Sequence, residues 1–199
     1  MESGIKELIL RRKTSKPANF SEKIPEPALI RELIEVGRHA PNHHRTEPAR
    51  FYLLDQERIK EVGRLFGEVV AGDGSDPALI QRGEKKAREW GSSPGLLIVT
   101  CHTDLDSELA RKKPEVIEEN YATCSCICQN LLLLFESEGI SAKWSTGPVF
   151  DHPEFTQVIG MQSPDCESVV ALLFYGYSET GLPERTYSPL DTHLRDFTA

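Results

Sequence analysis

The 199-residue sequence predicts an α/β or α+β sandwich, a sheet covered by helices on both faces. Three observations carry this expectation. Segments with helical spacing of apolar residues alternate along the chain with short runs of strand length. Two of those runs, "LLIVTCH" and "SVVALLFYGY", are apolar almost throughout, as strands buried on both faces are. The longest helical pattern, from Pro114 to about Gly139, is apolar nearly all round at "LLLLF", which predicts a central helix.

The elements follow in order. Ile5, Leu8 and Ile9 have helical spacing and stop at the basic "RRK". "PEPALIRELIEVG" sets Leu29, Ile30, Leu33 and Ile34 on one helical face, with Pro27 suited to a helix start. "RFYLLD" reads as a strand, followed by a helix carrying Ile59, Val62, Leu65, Phe66 and Val69. "GDGSDPAL" reads as a break, and "KKAREWGSSPG" as the lead into "LLIVTCH". After the long helix, "ISAKWST" is a strand, "HPEFTQVIG" a short helix and "SVVALLFYGY" a buried strand. The length favours one domain over residues 1–199, with the aperiodic segment 178–199 as a C-terminal extension.

Composition narrows the function. With 23 Lys and Arg against 31 Asp and Glu, the formal charge of -8 argues against a nucleic-acid binder and against an anionic membrane surface. No run reaches membrane-spanning length and the N-terminus lacks a signal pattern, so a cytoplasmic protein is expected. Cys101, Cys124, Cys126, Cys128 and Cys166 are odd in number and are expected as reduced thiols.

Several chemistries lack their motifs. No strand leads into a Rossmann or P-loop glycine pattern. In "CSCIC", Cys124 and Cys128 are one turn apart and Cys126 points roughly opposite, so the three cannot converge on one ion and small buried core residues are the expectation; adjacent His43 and His44 are expected to diverge, and no metal site is expected. No nucleophile with an oriented base stands out, so no catalytic residue is assigned.

What remains is a constellation of three segments: "RRKTSK" at 11 to 16, "RHAPNHHRTEP" at 38 to 48 and "KWSTGP" at 143 to 148. In this order, with "QNLLLLFESEGI" just ahead of the third, they resemble the nitroreductase family of FMN-dependent oxidoreductases, closest to its small single-domain members. The resemblance spans nearly the whole chain. It implies an α+β fold, a three-layer α-β-α sandwich with a mixed, mainly antiparallel sheet. It also implies that Arg11, Arg12 and Lys13 hold the FMN phosphate and ribityl chain, as charge-assisted bonding of a dianion requires. By the same resemblance His43 contacts the isoalloxazine or its ribityl chain, His39 stands where related members carry a cation, and Trp144, Ser145 and Thr146 run beside the ring. Arg45 or His43 is placed to stabilise the anionic reduced flavin.

The resemblance further implies a homodimer with FMN at the subunit interface, the apolar surround of "NLLLLF" supplying spare hydrophobic face. The activity implied is hydride transfer from NADH or NADPH through flavin N5 to a small-molecule acceptor, a nitroaromatic, quinone or activated alkene, in a ping-pong sequence. Four positions depart from the family pattern: Glu47 for Gln, Arg45 for Asn, Ala49 for Trp and Ser145 for Arg. Arg185 answers one of two C-terminal cations seen in larger members, Tyr187 the other, and Arg185 is left unassigned. Two readings stand beside this one: an FMN-binding or sequestering protein without turnover, and a colourless interaction module using "EKKARE".

Overall fold

Successive residues of the two central strands point into two separate cores, and the layers follow from that alternation. The computed structural model describes residues 4–178 and 186–198. Its elements are α1 (Ile5–Arg11), α2 (Pro27–Gly37), β1 (Ala49–Leu53), α3 (Gln56–Ala71), α4 (Pro77–Gly91), β2 (Gly95–His102), α5 (Glu108–Lys112), α6 (Val116–Ser137), β3 (Ser141–Ser145), α7 (Phe155–Ile159) and β4 (Glu167–Gly176). The sheet runs β1-β2-β4-β3 with every neighbouring pair antiparallel. Thr14 adds a parallel bridge to Ala142 beyond β3, and that bridge is the mixed component among the described residues.

On one face Leu97, Val99, Leu173 and Tyr175 pack with Ile30 and Leu33 of α2 and with Leu131 and Phe135 of α6. On the other, Leu96, Ile98, Leu172 and Phe174 pack with Ile59, Val62 and Leu65 of α3, Trp90 of α4 and Phe155 of α7. The three-layer α-β-α sandwich is therefore observed. At the Val99/Thr100 irregularity β4 carries one extra residue, so Val170 and Ala171 both reach the α6 side.

In α6, Cys124 and Cys128 are buried as expected, but Cys126, on the opposite side of the helix, is exposed and not part of the core. The "LLLLF" stretch differs from expectation. Leu131, Leu132 and Phe135 are buried within the chain and Leu133 and Leu134 half-buried, so little spare face remains there. Helix α1 does carry uncovered apolar surface: Ile5, Ile9 and Leu10 are exposed and no residue of it is buried.

Helix α4 is the longest element that the sequence pattern misses; the five-residue α5 is another. Gly72 to Asp76 form the break, Asp76 accepts from the Ala78 N–H, and Pro77 occupies the first turn. Its contact with α3 is made by glycines rather than an aliphatic stripe: a Cβ at Gly67 would come within 2.8 Å of the Ala87 Cβ, and one at Gly83 would collide with the Gly67 carbonyl. Leu79 and Ile80, the residues a periodicity search finds, are exposed. Gly83→Ala should lower stability by about 1–3 kcal/mol through overpacking, read by urea unfolding; an unchanged midpoint would mean that the two helices separate freely.

Candidate functional site

The first and third segments meet along the β3 edge. Thr14 bridges to Ala142, and the Ser15 N–H donates to the Ala142 carbonyl at 3.1 Å. This brings Arg11, Arg12 and Lys13 to the end of the sheet where β3 begins. Arg11 is pinned to the last turn of α6: its Nε donates to Glu136 Oε1 at 2.7 Å and its Nη2 to the Glu136 carbonyl at 3.2 Å, capping the negative end of that helix.

Along β3 the side chains alternate. Ala142 and Trp144 lie on the α6 face, whereas Lys143 lies over the Trp90 ring at 5.8 Å on the other face. Burial lowers the Lys143 pKa from its ordinary value. Ser145 shares the Lys143 side and is buried, while Thr146 is exposed just beyond the strand. Because Ala142 turns its carbonyl outward to Ser15, the next outward-facing peptide groups on this edge belong to Trp144. Ser15 and Ser145 have buried hydroxyls with no hydrogen-bond partner among the described residues.

The middle segment lies elsewhere. Asn130 of α6 donates to the carbonyls of Gly37 and His39, at 3.1 and 3.2 Å, and the chain then runs toward the N-terminus of α6. There His43 Nδ1 meets Glu119 Oε1 at 2.7 Å. His39 and His43 are both exposed. The backbone is strained through this turn, with positive φ at His44, Arg45 and Glu47, each costing on the order of 1 kcal/mol. Thr46 holds it. Its N–H donates to Asn42 Oδ1 at 3.1 Å, and its hydroxyl lies 2.5 Å from Asn120 Oδ1; the Asn120 amide in turn donates to Thr103 Oγ1 at 2.9 Å.

The left-handed conformation at His44 overturns one expectation. His43 and His44 do not diverge; their rings stack at 4.3 Å with 7° between planes. Together with Glu119 they offer ligand atoms within 4.8 Å of one another, a set that sequence reasoning set aside. Lys113 Nζ lies 3.5 Å from His44 Nε2.

The two halves are far apart in one chain. Glu119 and Glu136, which pin them, are seventeen residues apart on α6, about 25 Å at a helical rise of 1.5 Å. The sheet separates them as well, because β1 and β3 are its opposite edges. A cavity of about 390 Å³ adjoins the middle segment, with Arg38, His39 and Glu47 among its lining residues. Arg185 lies outside the described residues. Asn42, Thr46, Glu119, Asn120 and Glu136 were missed from sequence; Asn42 acts within its own turn, and the others act through partners brought near only by the fold.

Asn120→Ala should cost about 1–3 kcal/mol of stability by leaving the Thr46 and Thr103 hydroxyls short of a partner. Limited proteolysis should then cut first within residues 42–47; an unchanged cleavage pattern would remove Asn120 as the anchor of that turn.

The chain matches the Nitroreductase family over residues 9–177. The Bacillus subtilis (strain 168) protein named "Putative NAD(P)H nitroreductase YfhC" is 27% identical over 190 residues, covering 94% of this chain and 91% of that protein. The crystal structure of the nitroreductase-like family protein from Bacillus cereus superposes with a TM-score of 0.80 at 22% identity, covering 100% of this chain and 98% of the other. That of a nitroreductase with bound FMN from Bacteroides fragilis NCTC 9343 gives 0.71 at 21% identity, covering 94% and 95%. These structural likenesses establish the fold, and the family match spans all three segments of the site. The chain belongs to the nitroreductase family.

Proposed function

We propose that the protein is an FMN-dependent NAD(P)H oxidoreductase acting as a homodimer, with each FMN between Arg11, Arg12, Lys13, Trp144, Ser145 and Thr146 of one subunit and His39 and His43 of the other. The observation that carries this reading is the division of the family-pattern residues between opposite ends of α6. A gap of about 25 Å along the helix exceeds the reach of one flavin mononucleotide from phosphate to ring. A two-fold axis midway between Glu119 and Glu136 sets the Arg11 end of one α6 beside the His43 end of its partner, and the exposed Ile5, Ile9 and Leu10 of α1 supply apolar surface to bury.

The residues on the β3 edge suit FMN chemically. Three consecutive cations match a phosphate dianion, and the orphaned Ser15 hydroxyl is a buried polar atom that a bound anion would satisfy. Arg12 and Lys13 hold the phosphate, with Arg11 shared between it and Glu136. Trp144 and its peptide groups flank the ring on the open strand edge; Ser145, buried at the end of the strand, backs them from within. Glu119 fixes the orientation of His43, so the imidazole meets the cofactor in one pose. Bound FMN would supply the redox chemistry, accepting hydride from NADH or NADPH and passing it to a nitroaromatic, quinone or activated alkene by a ping-pong sequence. Glu47 and His39 share the nearby cavity, so the acceptor is selected beside a carboxylate. We read the enzyme as cytoplasmic, with no nucleic acid or membrane among its partners. The names of relatives support the oxidoreductase reading, as does the FMN bound in the Bacteroides fragilis and Desulfitobacterium hafniense nitroreductases.

Arg12→Ala should weaken FMN binding roughly tenfold or more, measured by flavin fluorescence. Complementation tests the shared site directly. A chain carrying Arg12→Ala and Lys13→Ala, mixed and re-equilibrated with one carrying His39→Ala and His43→Ala, should recover about one site in four through mixed dimers. No recovery would place the whole site within one chain. Initial rates at several acceptor concentrations should give parallel double-reciprocal lines; flavin that stays bound but is reduced by neither nicotinamide would instead indicate a binding protein. Glu47→Gln should lower KM for anionic acceptors, and an unchanged KM would mean that Glu47 does not face them.

A further inference from the structure

His43, His44 and Glu119 bring together chemistry that flavin binding does not use. Their ligand atoms all lie within 4.8 Å of one another, and among the described residues no other three His, Cys, Asp or Glu side chains are so gathered. Neighbouring side chains on an extended backbone point apart. The left-handed φ of 56° at His44 instead lays its ring against that of His43. Hydrogen bonds from Thr46 through Asn120 to Thr103 hold the turn, so the chain itself gathers the two rings.

The partners of each ring identify its protons. A carboxylate only accepts, so His43 donates Nδ1–H to Glu119 Oε1 at 2.7 Å. An ammonium only donates, so His44 turns the lone pair of Nε2 toward Lys113 Nζ at 3.5 Å. That ring is already an acceptor beside a cation, and Lys113 is exposed, free to turn into solvent when another cation arrives. Glu115 and Glu118 add negative charge at the same end of α6, offsetting the positive end of the helix. A cavity of about 440 Å³, with Asn42, His43, Glu119 and Cys126 among its lining residues, gives room for a coordinated water.

We propose that His43, His44 and Glu119 form a zinc site, with water as the fourth ligand. Two imidazoles and one carboxylate suit Zn²⁺, whereas calcium and magnesium take oxygen ligands and monovalent copper prefers sulfur. Bonds of about 2.0–2.1 Å at tetrahedral angles set ligand atoms about 3.3 Å apart. The three groups therefore close by at most about 1.5 Å, which the two exposed rings accomplish by turning about χ2. As the ion enters, the His43 proton passes from Nδ1 to Nε2, Nδ1 becomes the ligand, and Glu119 exchanges its hydrogen bond for a metal bond. His43 keeps Nε2 for the flavin contact proposed above, and the zinc site stands whether or not that contact does.

The experiment titrates the untagged protein, carrying whatever flavin it holds, with zinc chloride in a calorimeter. One ion should bind per chain. His44→Asn removes a ligand while suiting the left-handed backbone, which Asn tolerates, and should weaken zinc binding roughly tenfold or more, the scale on which even outer-shell partners of a metal act. Glu119→Gln, which leaves His43 an acceptor but takes away the carboxylate, should do the same. A chain with both Cys126→Ser and Cys166→Ser should bind zinc as tightly as the unaltered one, because neither thiol belongs to the site. The proposal is overturned if the unaltered chain takes up no zinc, if His44→Asn and Glu119→Gln both hold it as firmly, or if binding disappears with the two thiols. Heat of zinc binding is read rather than turnover, so failure of the flavin reading leaves this result unchanged.

Discussion

Burial of α6 against β2 and β4 is the constraint on which the rest depends. Cys124, Ile127, Cys128, Leu131 and Phe135 turn from one stripe of the helix into the core above the sheet, and each large apolar side chain buried there stabilises by roughly 1.5–3 kcal/mol. That stripe fixes the helix's rotation about its own axis. Its flanks then present Glu119, Asn130 and Glu136 to the loops they hold. The same helix therefore positions the basic segment at one end and the strained histidine turn at the other.

The two ends differ in character. The basic end is built on regular structure, with Ser15 hydrogen-bonded to the β3 edge and Arg11 capping a helix. The other end stores strain at His44, Arg45 and Glu47 and relies on a chain of side-chain hydrogen bonds from Thr46 through Asn120 to Thr103. Strained backbone of this kind persists only when its surroundings over-determine it. A rigid cation set at one end and a turn held by polar contacts at the other suit the proposed two-subunit site, because each is ordered within its own chain.

The strands and most helices were legible because apolar content and periodicity report burial directly. "SVVALLFYGY" has a core on both sides, and "PALIRELIEVG" on one. Helix α4 was not legible, since a contact made through Gly67, Gly83 and Ala87 leaves no hydrophobic stripe. The proposed site residues were named only by resemblance to a family, and their division between sheet edges was hidden in a strand order set by long-range pairing. The stacking of His43 on His44 rests on one left-handed residue, which no side-chain pattern announces. Glu119 reaches His43, and Asn120 reaches Thr46, across more than seventy residues of chain, a relation that only the fold creates.

The central claim is that the flavin site is completed by two subunits. Sedimentation velocity recorded at a flavin wavelength and a protein wavelength, across a dilution series that dissociates the oligomer, tests it most directly. The account predicts that flavin absorbance travels with the dimer boundary and is lost as the monomer appears. Flavin that sediments with the monomer at full occupancy would contradict it.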